Sequence, residues 1–175
     1  MAERGLDRMV YGTAELLSAL MSNKWRLVSA GEDVAQLIRS GRLHISRIAV
    51  PNGEEAVLTP HEHSVVHALD PEGNELARIT RTSWLGRNWE VTSKSWVYEL
   101  VSDRRPRRWH VTVGSTPVAQ ISGSLVSYNR VKVEAPLGIP ILVLALSWHV
   151  IARPWEAAAA PGTLLAAAGQ QEGLR

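Results

Sequence analysis

Pro140-Ile141-Leu142-Val143-Leu144-Ala145-Leu146-Ser147-Trp148-His149-Val150-Ile151-Ala152 decides the fold of this chain. The stretch is apolar on nearly every side and has no formal charge. A helix that is hydrophobic all round must be buried in protein or in lipid. At 1.5 Å per residue it spans only about 20 Å, well short of the roughly 30 Å core of a bilayer. The sequence therefore predicts a core helix over residues 140–152, wrapped by whatever precedes it.

What precedes it is a long series of strand-like segments. From Trp25 to Ala135 the chain is rich in Val, Ile, Thr and Trp, broken at short intervals by turn residues such as Asn52-Gly53 and Glu72-Gly73-Asn74. Asn and Gly tolerate the positive φ of tight turns. Trp109, Val111 and Val113 alternate with His110 and Thr112, and Val131 and Val133 alternate with Arg130, Lys132 and Glu134. Period two puts one face inward and one outward. About eleven such segments, regularly spaced, imply an antiparallel sandwich or barrel. Pro136, Gly138 and Pro140 are expected to end the sheet, and Pro154 to stop the helix.

The flanks read differently. In Leu6–Leu20, residues Leu6, Met9, Val10, Thr13, Leu16, Leu17 and Leu20 recur at helical spacing, which predicts an N-terminal amphipathic helix within residues 1–23. Residues 24–153 then form the β domain, and the Ala/Gly-rich residues 154–175 a mobile tail. Leu164–Ala168 would make at most a short helix there.

Composition narrows the function classes. The net charge is +2 and the pI about 9.3, too small an excess for a dedicated nucleic-acid binder with a strongly basic face. Cys is absent, which removes disulfides, thiolate zinc sites and S-acylation. Met1–Arg8 lacks the apolar core of a signal peptide, so the cytoplasm is the expected compartment, with peripheral membrane contact left open. No transmembrane segment and no nucleic-acid partner are expected. No P-loop, dinucleotide fingerprint or Gly-x-Ser-x-Gly motif is present.

Three pieces of sequence resemble the tubby C-terminal-like superfamily, which includes the tubby domain, the phospholipid scramblases and the LURP-one-related proteins. Asp70-Pro71-Glu72-Gly73-Asn74-Glu75-Leu76-Ala77-Arg78-Ile79-Thr80-Arg81 is similar to a family turn that leads into an apolar-basic strand. Gly114-Ser115-Thr116-Pro117-Val118-Ala119-Gln120-Ile121 looks like a second such hairpin, and Leu144-Ala145-Leu146-Ser147 resembles the terminal segment. The resemblance covers roughly Trp25 to Ala152. It implies a mainly β fold, a closed antiparallel barrel of about twelve strands around a buried hydrophobic C-terminal helix. Tubby domains bind phosphoinositides, but their basic site does not align with particular residues here. The chain also has no Cys-rich stretch and no acidic calcium loop, which counts against lipid scrambling.

Four constellations could carry function. Arg104, Arg105, Arg107 and Arg108 surround Pro106 between two strands, a concentrated positive tip suited to anionic lipid head groups. The alternative is a solvated turn that protects the sheet from edge-on pairing. Trp84, Arg87 and Trp89 cluster around Gly86; such interleaving can stack bases or bind head groups, or can simply form a strand–turn–strand corner with one buried Trp. His61, His63 and His67 share strand parity and are candidate metal ligands, against the reading of surface or hydrogen-bonded histidines. Ser147 and His149 point in different directions on a helix, so they are no nucleophile–base pair, and His149 reads as a core histidine with a buried partner. The expectation is a non-catalytic binding module without a cofactor. It would contact an anionic membrane surface or a protein partner through basic loops. The alternatives are a small-ligand or metal-binding enzyme with an unrecognised site, or a structural interaction module.

Overall fold

The computed structural model describes residues 5–19, 22–40, 44–62, 64–124 and 128–159, with side chains as far as Ala152. Twelve strands close into one antiparallel barrel: β1 Met9–Ser18, β2 Lys24–Ser29, β3 Glu32–Arg39, β4 Ser46–Ala49, β5 Glu55–His61, β6 Val65–Leu69, β7 Glu75–Arg81, β8 Asn88–Ser93, β9 Val97–Ser102, β10 Arg108–Val113, β11 Thr116–Gly123 and β12 Arg130–Pro140. Each strand pairs with the next in sequence, and β1 pairs with β12 to complete the ring. Helix α1, Ile141–Ala159, follows directly.

The alternation seen in sequence becomes the inside and outside of the barrel. Inward positions include Ile48 on β4, Ala56 and Leu58 on β5, Ala77 and Ile79 on β7, and Val131, Val133 and Ala135 on β12, all buried. Many are alanines: Ala14, Ala35, Ala56, Ala68, Ala77, Ala119 and Ala135. Eight strands leave only enough interior for side chains, so twelve strands lined with small residues leave room for a helix about 10–12 Å across. Helix α1 fills that room. Ile141–His149, Ile151 and Ala152 are buried and Val150 half-buried, which is why the stretch is apolar on every side.

Three sequence expectations are corrected. The N-terminal amphipathic helix is absent; Gly5–Asp7 form a single 3-10 turn and Met9–Ser18 are strand. Val10, Ala14 and Leu16 face in, with Gly12 between them, while Tyr11, Thr13 and Glu15 face out or to the rim. That even-numbered spacing also fits period two, and closing the barrel satisfies both open edges of the sheet, which an N-terminal helix would leave unpaired. Second, Pro136 and Gly138 do not end β12. Tyr11 alone lies between the pairs Val10–Ile139 and Gly12–Ala135, so Pro136-Leu137-Gly138 bulge out opposite it, and Pro is tolerated at a bulge. Gly138 has φ +83°, and a Cβ there would lie 2.5 Å from the Tyr11 ring, so the site requires glycine. Third, Pro154 lies inside α1, which runs on to Ala159 through an alanine-rich turn with strong helix propensity. The remainder of the predicted tail, including Leu164–Ala168, lies outside the described residues.

An up-and-down meander sends alternate connections to opposite ends. The helix enters beside the turns after β2, β4, β6, β8 and β10, and beside the N-terminal turn. Ile141 N–H donates to the Arg8 carbonyl at 3.0 Å, and Leu6 N–H to Glu54 Oε2 at 3.2 Å, which fasten this entry end. The distal end carries the turns after β1, β3, β5, β7, β9 and β11.

Candidate functional site

Charge divides between the two ends. The entry end carries Asp7, Glu32, Asp33, Glu54, Glu55, Asp70, Glu72 and Glu75 with Arg8 and Lys94, whereas the distal end carries Arg81, Arg87, Arg104, Arg105, Arg107 and Arg108 with Glu62 and Asp103. All four arginines predicted as an anion site therefore lie at one end of the barrel.

The connection between β9 and β10 is built around Asp103. Its Oδ1 accepts from Arg105 N–H at 3.2 Å and its Oδ2 lies 3.0 Å from His110 Nε2. These bonds, the Arg105 amide first and the His110 side chain next, hold the Asp103 carboxyl below its ordinary value. Asp103 N–H donates to the Arg108 carbonyl at 2.9 Å, closing the turn. Arg107 has φ +56° and serves structure: its guanidinium lies 4.1 Å from the Tyr128 ring centroid and donates to the Ser124 carbonyl. Arg108 is half-buried near Glu134, whose carboxyl is lowered chiefly by a hydrogen bond from Lys132, with a smaller contribution from Arg108. Arg104 and Arg105 project into solvent and form no ion pair among the described residues. The fixed tip thus exposes two guanidinium groups and uses a third as a strut.

The neighbouring connection between β7 and β8 holds the second cluster. Trp84 is 86% exposed and Leu85 64% exposed. Trp89 is half-buried and packs against the core, and its Nε1 donates to the Gly86 carbonyl at 3.1 Å. The corner therefore buries one Trp and presents the other. Leu85 was missed in sequence, although an apolar pair inside a Ser/Gly turn has no core to fill. This loop touches the arginine loop directly, because Ser102 N–H donates to the Arg87 carbonyl at 2.8 Å. Trp96 and Trp109 are half-buried against the core; Trp96 makes an edge contact with Tyr98 at 5.5 Å.

Of the three histidines considered as ligands, His63 lies outside the described residues. His61 and His67 meet edge to face at 5.2 Å, and His67 Nδ1 is bonded to Glu75 Oε2. No group of three or more His, Asp or Glu placed to hold a metal is found among the described residues.

The interior holds a polar cluster at the distal end of the helix. Ser46 Oγ lies 2.7 Å from His149 Nδ1, with 1% and 0% of these residues exposed. His149 is thus a core histidine with a buried partner, which sequence alone could not identify as Ser46. Neither group meets solvent. Arg39, 8% exposed, donates to the His149 carbonyl at 3.3 Å and lies 4.3 Å from the Trp148 ring centroid. At the entry end a cleft of about 370 Å³ is lined by Leu6, Asp70, Asn74, Glu75, Lys94 and Leu142, among others. Its acids are already engaged: the Asp70 carboxyl is lowered chiefly by the Asn74 side chain, and Glu75 binds His67 and lies 3.7 Å from Arg78.

No helix among the described residues is long and apolar enough to cross a membrane. No family model matches the chain, and no curated protein matches it by sequence. The X-ray structure of a protein from Arabidopsis thaliana is similar, with a TM-score of 0.54 at 12% identity, over 85% of this chain and 94% of that one. At that identity the likeness establishes the shared fold alone.

Proposed function

We propose that this chain is a tubby-like, non-catalytic binding module that contacts anionic lipid head groups through the Arg104–Arg108 loop. The observation that carries this reading is the pair Arg104 and Arg105. Both are exposed, without an ion pair among the described residues, on a turn held in place by Asp103 and Arg107. Asp103 makes a side-chain-to-backbone turn of the kind solvated loops also use, but Arg107 braces the same loop against Ser124, and a binding tip gains from such preorganisation. The helix-filled interior supports a surface role, because the space that a barrel offers a ligand is occupied by α1. Basic residues near an anionic membrane contribute about 1 kcal/mol each. The proposed setting is the cytoplasmic face of a membrane, with peripheral attachment.

The test is sedimentation with neutral and anionic vesicles at low and physiological salt, beside an Arg104→Ser/Arg105→Ser variant. Arg107 is left intact because it supports the turn. Binding to anionic vesicles that weakens with salt and is lost in the variant is the expected result. Absence of binding at both salts, or equal binding by the variant, removes the proposal and directs attention to a protein partner.

A further inference from the structure

Trp84 and Leu85 form an exposed apolar pair in a loop that is rigidly built. Ser83 Oγ accepts from both Arg87 N–H and Asn88 N–H at 2.9 Å, Gly86 N–H donates to the Ser83 carbonyl at 3.1 Å, and Gly86 adopts φ +66°. Trp89 pins the base of the turn through the Gly86 carbonyl. The exposure of the pair therefore follows from a folded turn and not from a loose one. Single exposed apolar residues need no explanation, but two adjacent large ones on a fixed tip do. Their surroundings supply it: Arg87 follows in the same loop, and the bond from Ser102 to Arg87 places the loop directly beside Arg104 and Arg105.

We infer that the barrel docks end-on, with Trp84 and Leu85 inserted among the head groups of an anionic bilayer and Arg87, Arg104 and Arg105 on the surrounding phosphates. This rests on the lipid reading above and names the part of the site that distinguishes a membrane from any other polyanion. A convex apolar tip ringed by cations fits a soft interface, where burial of apolar area adds to attraction of anionic lipid. Tryptophan suits that depth because its ring is apolar and its N–H can still meet a polar group. A protein partner would have to supply a pocket for the tip, and the charge around it favours the lipid surface.

Two readouts on the full chain test this, using phosphatidylcholine vesicles with and without phosphatidylserine. In sedimentation, Trp84→Ser/Leu85→Ser weakens binding by about tenfold or more, the factor expected when burial of one large side chain is lost. In vesicles carrying brominated acyl chains, wild-type tryptophan fluorescence is quenched and that of the variant is not. Wild-type binding with unchanged binding by the Trp84/Leu85 variant and no quenching overturns the insertion while leaving the arginine contact standing. No binding by wild type overturns both. Because the pair is exposed, the variant keeps its fold, which its circular dichroism verifies.

Discussion

Replacing Trp148 by alanine is the sharpest test of the barrel with a helix inside it. Trp148 is fully buried. Its ring meets Trp25 edge to face at 5.8 Å and carries the Arg39 guanidinium 4.3 Å from its centroid. Truncating a buried Trp costs about 3–5 kcal/mol through lost transfer energy and the cavity left behind. The aromatic pair adds about 0.5–1.5 kcal/mol. Removing the ring also takes away the face against which a buried cation rests, so about 4–6 kcal/mol is expected against a total stability of about 5–15. Urea unfolding followed by far-UV circular dichroism measures it. Two companions sharpen the reading. Trp148→Phe loses an indole N–H that has no partner among the described residues, and so costs less than half as much as Trp148→Ala. Trp84→Ala, the same chemistry at an exposed position, changes stability by less than about 0.5 kcal/mol. A Trp148→Ala loss below about 2 kcal/mol would refute the packing of this helix side chain against Trp25 of β2.

Ser46→Ala removes the hydroxyl on His149 Nδ1 and is expected to cost about 1–3 kcal/mol in the same unfolding assay; a change under about 0.5 would show that the contact contributes nothing. Deleting residues 1–18 removes β1 and leaves β2 and β12 as open edges, so the product should be unfolded or aggregated, and a folded monomer by size exclusion and circular dichroism would contradict the closure. The Asp103 carboxyl is held below its ordinary value of 3.8, so its hold on the turn is fully present above that value and is lost as pH falls through the lowered one. The Arg105 amide shift, followed by NMR, should therefore titrate below pH 3.8 and stop titrating in Asp103→Asn; a midpoint at or above 3.8 would falsify the assignment.

The strands from Lys24 onward were legible because turn chemistry and period two agree there. Asn52-Gly53 and Gly73-Asn74 mark turns that the structure contains, between β4 and β5 and between β6 and β7. The first strand was not legible. Leu6, Val10, Leu16 and Leu17 read as part of a helical pattern while Val10, Ala14 and Leu16 fit a strand pattern, and only the need to seal β2 against β12, a contact across the length of the chain, decides between them. That same residue run supplies the twelfth strand that the count from Trp25 onward lacked. At the candidate site, the arginine loop was visible as composition. Its division of labour was not, because Arg107 differs from Arg104 only through Tyr128 and Ser124, residues brought near by β11. Likewise Trp84 and Trp89 look equivalent in sequence, and only the turn at Gly86 sends one inward and the other out.

The net charge of +2 misleads for a geometric reason. It sums two ends of opposite sign, separated by the length of the helix that runs between them. From Ile141 to Ala152 that helix rises about 17 Å, and the flanking turns lie farther apart still. The Debye length at physiological ionic strength is about 8 Å. An anionic surface touching the distal end therefore meets Arg87, Arg104 and Arg105 at contact, while Glu32, Glu54 and Glu72 lie at least two screening lengths away. Their repulsion is largely removed, and the surface responds to the near end as if to a far more basic protein. The closed wall contributes to the same result. Among the described residues the wall leaves no free strand edge, and the meander sorts its loops by charge. The salt dependence of binding should accordingly reflect the few arginines of the distal end and be insensitive to neutralising the acids of the other. A Glu32→Gln/Glu72→Gln variant that binds anionic vesicles markedly more tightly than wild type at physiological salt would show that screening does not separate the two ends.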